Sequence, residues 1–187
     1  MQETTVPVGD EGLRVLDGLS REELIAIIVD DAKNWLAHDG LWFQAVERSY
    51  GMDMAIDADI DAWRQFTVIE AKRIMDRLGI ERGGGIPALV ECLKHRLYAR
   101  LNVQEATEVS DRRVVFTMRD CRVQSARRRK GLPDFPCKSV GIVEYSGFAR
   151  AVDPRIQTRC IACPPDDHPA DSWCSWEFTL PAGAGAP

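Results

Sequence analysis

Residues 103–118 read VQEATEVSDRRVVFTM, and within them the period of the chain changes. The segments VQEATEV (103–109) and RRVVFTM (112–118) are short, rich in β-branched residues and joined by Ser110-Asp111, the pattern of a β-hairpin. Everything before this point repeats with a helical period. Ser20-Arg-Glu-Glu23 has the spacing of a capping box. Leu24, Ile25, Ile28, Ala32, Trp35 and Leu36 then recur on one helical face over 21–38. Gly40 breaks or bends this helix, which Leu41, Trp42, Ala45 and Val46 extend toward Tyr50, with Gly51 as the stop. Ile56, Ile60, Trp63, Thr67, Ile74 and Leu78 predict a second long helix over 55–78. RGGG (82–85) is a joint, and Pro87 opens a helix carrying Leu89, Val90, Leu93, Leu97 and Leu101.

Beyond the hairpin a short basic helix is expected over 122–130 and a loop at GLPDFP (131–136). A helix follows over 138–152, with Val140, Val143, Phe148 and Val152 facing inward. The strands IQTRCIA (156–162) and WCSWEFTL (173–180) close the chain. The fold class is therefore α+β: an N-terminal helical layer packed on a small, mostly antiparallel sheet. The expected organisation is a flexible tail over 1–19 and a single domain over 20–180. Its helical half spans 20–101 and its sheet-containing half 102–180. A disordered tail, PAGAGAP, is expected at 181–187.

The chain has 187 residues and a formal net charge of -5. A length in this range buries roughly 70% of the unfolded surface, so no disulfide or metal staple is required for folding. The acidic balance argues against nucleic acid or anionic membrane as a partner. The start, MQETTVPVGDEG, has no apolar core of a leader, and no apolar run is long enough to span a bilayer. A cytoplasmic protein is expected, with its six cysteines as thiols or ligands.

Three of those cysteines fall in CIACPPDDHPADSWCSW (160–176). Cys160 and Cys163 make a C-x2-C step that can bite one zinc ion. Cys137 and Cys174 complete a four-ligand set, with His168 as a substitute ligand; an iron–sulfur cluster ranks after zinc. Two other readings stay open. Cys174 alternates with Trp176, Phe178 and Leu180 along one strand face, as a small core residue would. Alternatively the cluster holds a reactive thiol. Cys137 then has the best setting, since it precedes Lys138 at the start of a helix, where backbone N–H groups favour a thiolate.

In NWLAHDGLWFQAVERSYG (34–51), Trp35, His38 and Trp42 share a helical face, with Glu47 one turn on. This reads either as an aromatic pocket wall with an acid/base histidine, or as a core face. Arg127 to Lys130 form a basic run, read first as a solvated helix face.

Taken in order, VERSYGMDMA (46–55), CRVQSARRRKG (121–131), FPCKSVGIVEYSGFARAVDPRI (135–156), CIACPPD (160–166) and WCSWEF (173–178) resemble an uncharacterised family of bacterial cytosolic proteins. More distantly they are similar to the L-2-amino-thiazoline-4-carboxylate hydrolases. The shared elements are Glu47 with the glycine and alanine after it, a cysteine before the central helix, and the closing cysteine-plus-aromatic strand. The resemblance implies ring-opening hydrolysis of a small cyclic, carboxylate-bearing amidine. Cys137 or Cys174 would act as nucleophile, or a metal-bound hydroxide would, with His38 or Glu47 moving protons. Arg127 or Arg128 would grip a substrate carboxylate, between Trp35, Trp42 and Trp176. Two alternatives from other classes are a zinc-bearing small-ligand sensor and a homodimeric scaffold with structural cysteines.

Overall fold

The computed structural model describes residues 9–181; the expected tails at 1–19 and 181–187 lie partly outside them. Within the first, Asp10–Leu13 forms a single helical turn, α1, followed by a 3-10 turn at Arg14–Gly18.

Helix α2 runs unbroken over Arg21–Tyr50, so Gly40 neither breaks it nor ends it. The capping box is complete: Ser20 Oγ accepts from Glu23 N, and the Glu23 carboxylate accepts from Ser20 N. Gly51, at φ 89, separates α2 from α3 (Met52–Leu78), and Gly79 in the left-handed region ends α3. Helix α4 (Gly85–Lys94) is shorter than its leucine repeat suggests. The cause is Glu70 on α3. Its carboxylate accepts from Arg96 Nε at 2.9 Å and from Leu97 N at 3.0 Å, which pulls the chain out of the helix into a 3-10 turn at Leu97–Arg100.

The hairpin forms from β1 (Val103–Thr107) and β2 (Arg113–Asp120). Helix α5 (Arg122–Arg129) and helix α6 (Lys138–Val152) follow, then β3 (Gln157–Ala162) and β4 (Cys174–Thr179). The four strands lie in the order β1-β2-β4-β3, and every pairing is antiparallel. The architecture is α+β, as the change of period predicts.

Helix α6 is the centre of the fold, between the sheet on one side and α3 on the other. Two glycines let it approach both closely. A Cβ at Gly141 would meet Trp176 Cζ2 of β4 at 2.7 Å, and one at Gly147 would meet Thr67 Cγ2 of α3 at 2.6 Å. Val140, Phe148 and Val152 are buried as expected. Val143 is only half-buried, and Glu144 takes the inward position instead. The main core joins α3, α4 and α6 to the sheet through Ile74, Leu89, Phe116, Phe148, Trp176 and Phe178. A second, aromatic cluster holds Trp35, Phe43, Trp63, Phe66, Tyr98 and Phe135. Among the described residues, no helix is long and apolar enough to cross a membrane.

Candidate functional site

Between these two clusters lies a cavity of about 420 Å³. Helices α2 and α5 form its sides, through residues such as Leu36, Gly40 and Phe43 on α2 and Val123 and Gln124 on α5. The first half of α6 crosses it with Cys137, Val140, Gly141 and Glu144 in axial order. The sheet contributes Met118, Cys174 and Trp176, and the turn after β3 contributes Cys163.

Cys137 is the N-cap residue of α6 and lines the cavity. Its Sγ lies 3.5 Å from Cys163 Sγ and accepts from Gln124 Nε2 at 3.6 Å. Gln124 is itself fixed: its amide donates to Phe135 O at 2.8 Å and accepts from Phe135 N at 2.9 Å. The turn bearing Cys163 is pinned to the same helix end. Lys138 N donates to Pro164 O at 2.9 Å, and Lys138 Nζ pairs with Asp166 at 2.6 Å. Hydrogen bonding from Cys163 holds the Cys137 thiol below the ordinary cysteine range; burial opposes this and Gln124 adds to it. Cys163 is pushed far up, first by donating to Cys137, then to Cys174, and then by burial. The Cys163 thiol thus lies close to those of both Cys137 and Cys174.

Cys121 and Cys160 lie near enough to this trio for Cys137 and Cys174 to act on both electrostatically. Cys160 faces Trp176 in the β3–β4 ladder, outside the cavity wall, because a bulge follows it and Cys163 lies beyond the strand end. Among the described residues, no group of three or more His, Cys, Asp or Glu side chains is disposed to hold a metal ion. His168, the substitute ligand, stacks at 5.4 Å on Trp173 instead. Cys121 lines the cavity but burial pushes its thiol up to about 12, and Cys92 is a core residue of α4.

The pocket wall expected from Trp35, His38 and Trp42 is corrected. His38 and Trp42 point to solvent, Trp42 being 69% exposed, because only a narrow stripe of α2 packs inward. Trp35 belongs to the aromatic cluster, stacked on Phe66 at 5.6 Å, behind the cavity. Glu47 and Arg127 satisfy each other. The guanidinium donates to both carboxylate oxygens at 2.8 and 3.0 Å, while its Nε donates to Pro133 O at 2.7 Å. The pair holds Glu47 below the usual carboxylate range, which removes it as a proton acceptor near neutral pH. Arg128 pairs with Asp134 and lies 4.1 Å from the Trp173 ring, off the cavity. The basic run is thus half structural: Arg127 is buried, and Arg129 and Lys130 reach the cavity rim with Arg122.

Three carboxylates on the wall have no part in the sequence reading: Asp39, Asp59 and Glu144. Glu144 forms an ion pair with Arg96 at 2.7 Å, and Arg96 also pairs with Glu70. Asp59 is pushed up to about 7, first by burial and then by the charges of Asp39 and Glu144, against a hydrogen bond from Trp63. Asp39 is raised by burial. A helical projection of α6 carries the signal for Glu144, since it falls on the stripe with Cys137, Val140 and Gly141. Asp39 and Asp59 carry the same kind of signal, Asp39 with Leu36, Gly40 and Phe43 on α2 and Asp59 with Ile56, Ile60 and Trp63 on α3.

A family model described as "Family of unknown function (DUF6125)" matches residues 17–180. The chain belongs to this family. No curated protein and no solved structure matches it. The matched span contains every residue of the cavity wall, from Lys33 on α2 to Trp176 on β4. The family description assigns no activity, so the chemistry of the site is argued from its geometry.

Proposed function

We propose that this protein is a thiol-dependent hydrolase of a small molecule, with Cys137 as nucleophile. The observation that carries this reading is the setting of Cys137. The residue lines the cavity, the Cys163 thiol and the fixed Gln124 amide lie within hydrogen-bond reach of its sulfur, and it stands at a helix N-terminus. The reference substrate class is the cyclic amidine acid that the resemblance implies. The thiolate would form a bond to the amidine carbon, and the C–N bond would break as nitrogen takes a proton from water. A second water would then displace the sulfur and return the thiol. A substrate carboxylate has two candidate partners in Arg122 and Arg129. Both are exposed at the rim and have no ion-pair partner among the described residues.

The test is incubation with 2-amino-thiazoline-4-carboxylate and related cyclic amidines, with acid-quenched mass spectrometry of the protein. A substrate-sized adduct on Cys137 and its loss in Cys137→Ala support the reading. Turnover that survives Cys137→Ala overturns it. The same assignment places the protein in the cytoplasm, a reducing compartment in which a dithiol stays reduced. A homodimer would cover exposed apolar side chains of the two long helices, among them Ile28, Trp42 and Tyr50 on α2 and Val68 on α3. Sedimentation of the purified chain tests it.

A further inference from the structure

We propose that the end of the cavity bearing Asp39, Asp59 and Glu144 receives a nitrogen cation of the substrate, an ammonium or amidinium group about two helical turns from Cys137. The inference rests on the thiol-hydrolase reading for its direction and on the acidic end for its chemistry.

The placement follows from α6. Cys137 caps the helix and Glu144 lies seven positions on, so the rise of a helix sets them about 10 Å apart along the axis. Asp39 and Asp59 act electrostatically on each other and on Glu144, so all three belong to the Glu144 end. The nearest buried cation is Arg96, already shared between Glu70 and Glu144. The local balance leans negative: two further carboxylates line the space without an ion pair among the described residues, the exposed His38 acting on Asp39 only at a distance. Burial and mutual repulsion hold Asp59 far above an ordinary aspartate, the behaviour of a site whose counter-charge arrives with a ligand.

Two orphaned atoms in the same wall point independently to a ligand. Glu144 Oε1 is buried and lies 2.7 Å from Arg96 Nη2, yet out of line for a hydrogen bond, so it keeps acceptor capacity. Trp176, which is 1% exposed, keeps its buried Nε1–H without an acceptor. Orphaned polar atoms are uncommon in a native interior, and these two border one cavity. The ligand they fit carries N–H donors at the acidic end and an acceptor near the indole. Phenyl or alkyl bulk between the two ends would meet Trp63, Tyr98 and Tyr145.

The experiment uses benzamidinium as a cationic probe against benzamide, its neutral counterpart of the same shape. Binding is read by the fluorescence of the cavity tryptophans and by calorimetry, on the full chain and on Cys137→Ala. The expected result is saturable binding of benzamidinium to both proteins, at least tenfold tighter than benzamide. Asp59→Asn is expected to weaken it at least tenfold while melting no lower than the parent, and Asp39→Asn is expected to weaken it in the same sense. Equal affinity for benzamide, or benzamidinium affinity unchanged in both aspartate variants, overturns the inference. Because Cys137→Ala retains the acidic end, failure of the thiol reading leaves benzamidinium binding intact, and failure of the cation site leaves Cys137 chemistry intact.

Discussion

The Sγ atoms of Cys137 and Cys163 lie 3.5 Å apart, close enough to share a proton and too far for a bond between them. The contact with Cys163 lowers the Cys137 thiol at the head of α6 and raises that of Cys163, so Cys137 is the one of the two that ionises first. Removing Cys163 therefore removes what lowers the Cys137 thiol while leaving Cys137 itself in place. In Cys163→Ala, the Cys137 thiol should titrate higher and react with iodoacetamide more slowly at pH 7. Alkylation across pH 5–10, with peptide mapping of the labelled cysteine, measures this. An unchanged Cys137 profile would show that Cys163 is only a core residue.

Asp59 makes a prediction of opposite sign for stability. Its carboxyl is held at about 7 in the folded protein against 3.8 for the ordinary value. A folded state that binds the proton more tightly loses stability as pH rises from about 4 through 7. Above that window the ionised carboxylate is a net cost. Asp59→Asn removes the cost, so relative to the parent it should gain about 2 kcal/mol at pH 8 and little at pH 4.5. Urea unfolding at the two pH values reads the difference. A gain that does not grow with pH would mean Asp59 is not so perturbed. A variant that is more stable yet binds the cationic probe less well is what a residue retained for binding predicts.

The fold was legible in the sequence because periodicity reports burial. The switch to alternation at Val103 marks the hairpin, and the last two strands show the same alternation, so the element order follows from pattern alone. The end of α4 was not legible, because a long-range contact sets it: Glu70, 26 positions upstream of Arg96, captures that guanidinium. The site was half legible. Cys137 could be read from its place before a helix. The different burial of the two cysteines of the C-x2-C step was not legible, since a bulge follows Cys160 and Cys163 lies buried beyond the strand end. His38 and Trp42 mislead for a related reason. Helical spacing shows that residues share a face but does not say which face is covered.

Arg96 should be the most stability-sensitive charged residue of the core. It is 1% exposed, pairs with Glu70 and Glu144, and lies 4.7 Å from the Phe148 ring. Arg96→Met leaves two carboxylates buried without their cation, which costs about 3–5 kcal/mol. Adding Glu70→Gln and Glu144→Gln removes the stranded charges, so the triple variant should recover part of the loss although it carries more changes. Urea unfolding of the single and triple variants gives both numbers. A loss under about 1 kcal/mol in Arg96→Met would show that the pair is solvated and not buried.

The packing of α6 on α3 gives a prediction in which local and tertiary effects oppose. Alanine is a better helix former than glycine by about 1 kcal/mol, so Gly147→Ala should stabilise if only the helix mattered. At this position, however, a Cβ would meet Thr67 Cγ2 at 2.6 Å. Thr67 cannot simply turn away, because its Oγ1 donates to Glu144 O at 2.8 Å, and giving up that bond would strand a buried hydroxyl. The clash should outweigh the propensity, so Gly147→Ala is expected to lose about 1–2 kcal/mol. Thr67→Ser removes the offending methyl and keeps the hydroxyl. In the Gly147→Ala background it should therefore restore stability, although alone it removes buried packing and costs a little. A double-mutant cycle by urea unfolding isolates the coupling. A stabilised Gly147→Ala, or additive effects of the two changes, would mean that α3 and α6 do not approach this closely at Gly147.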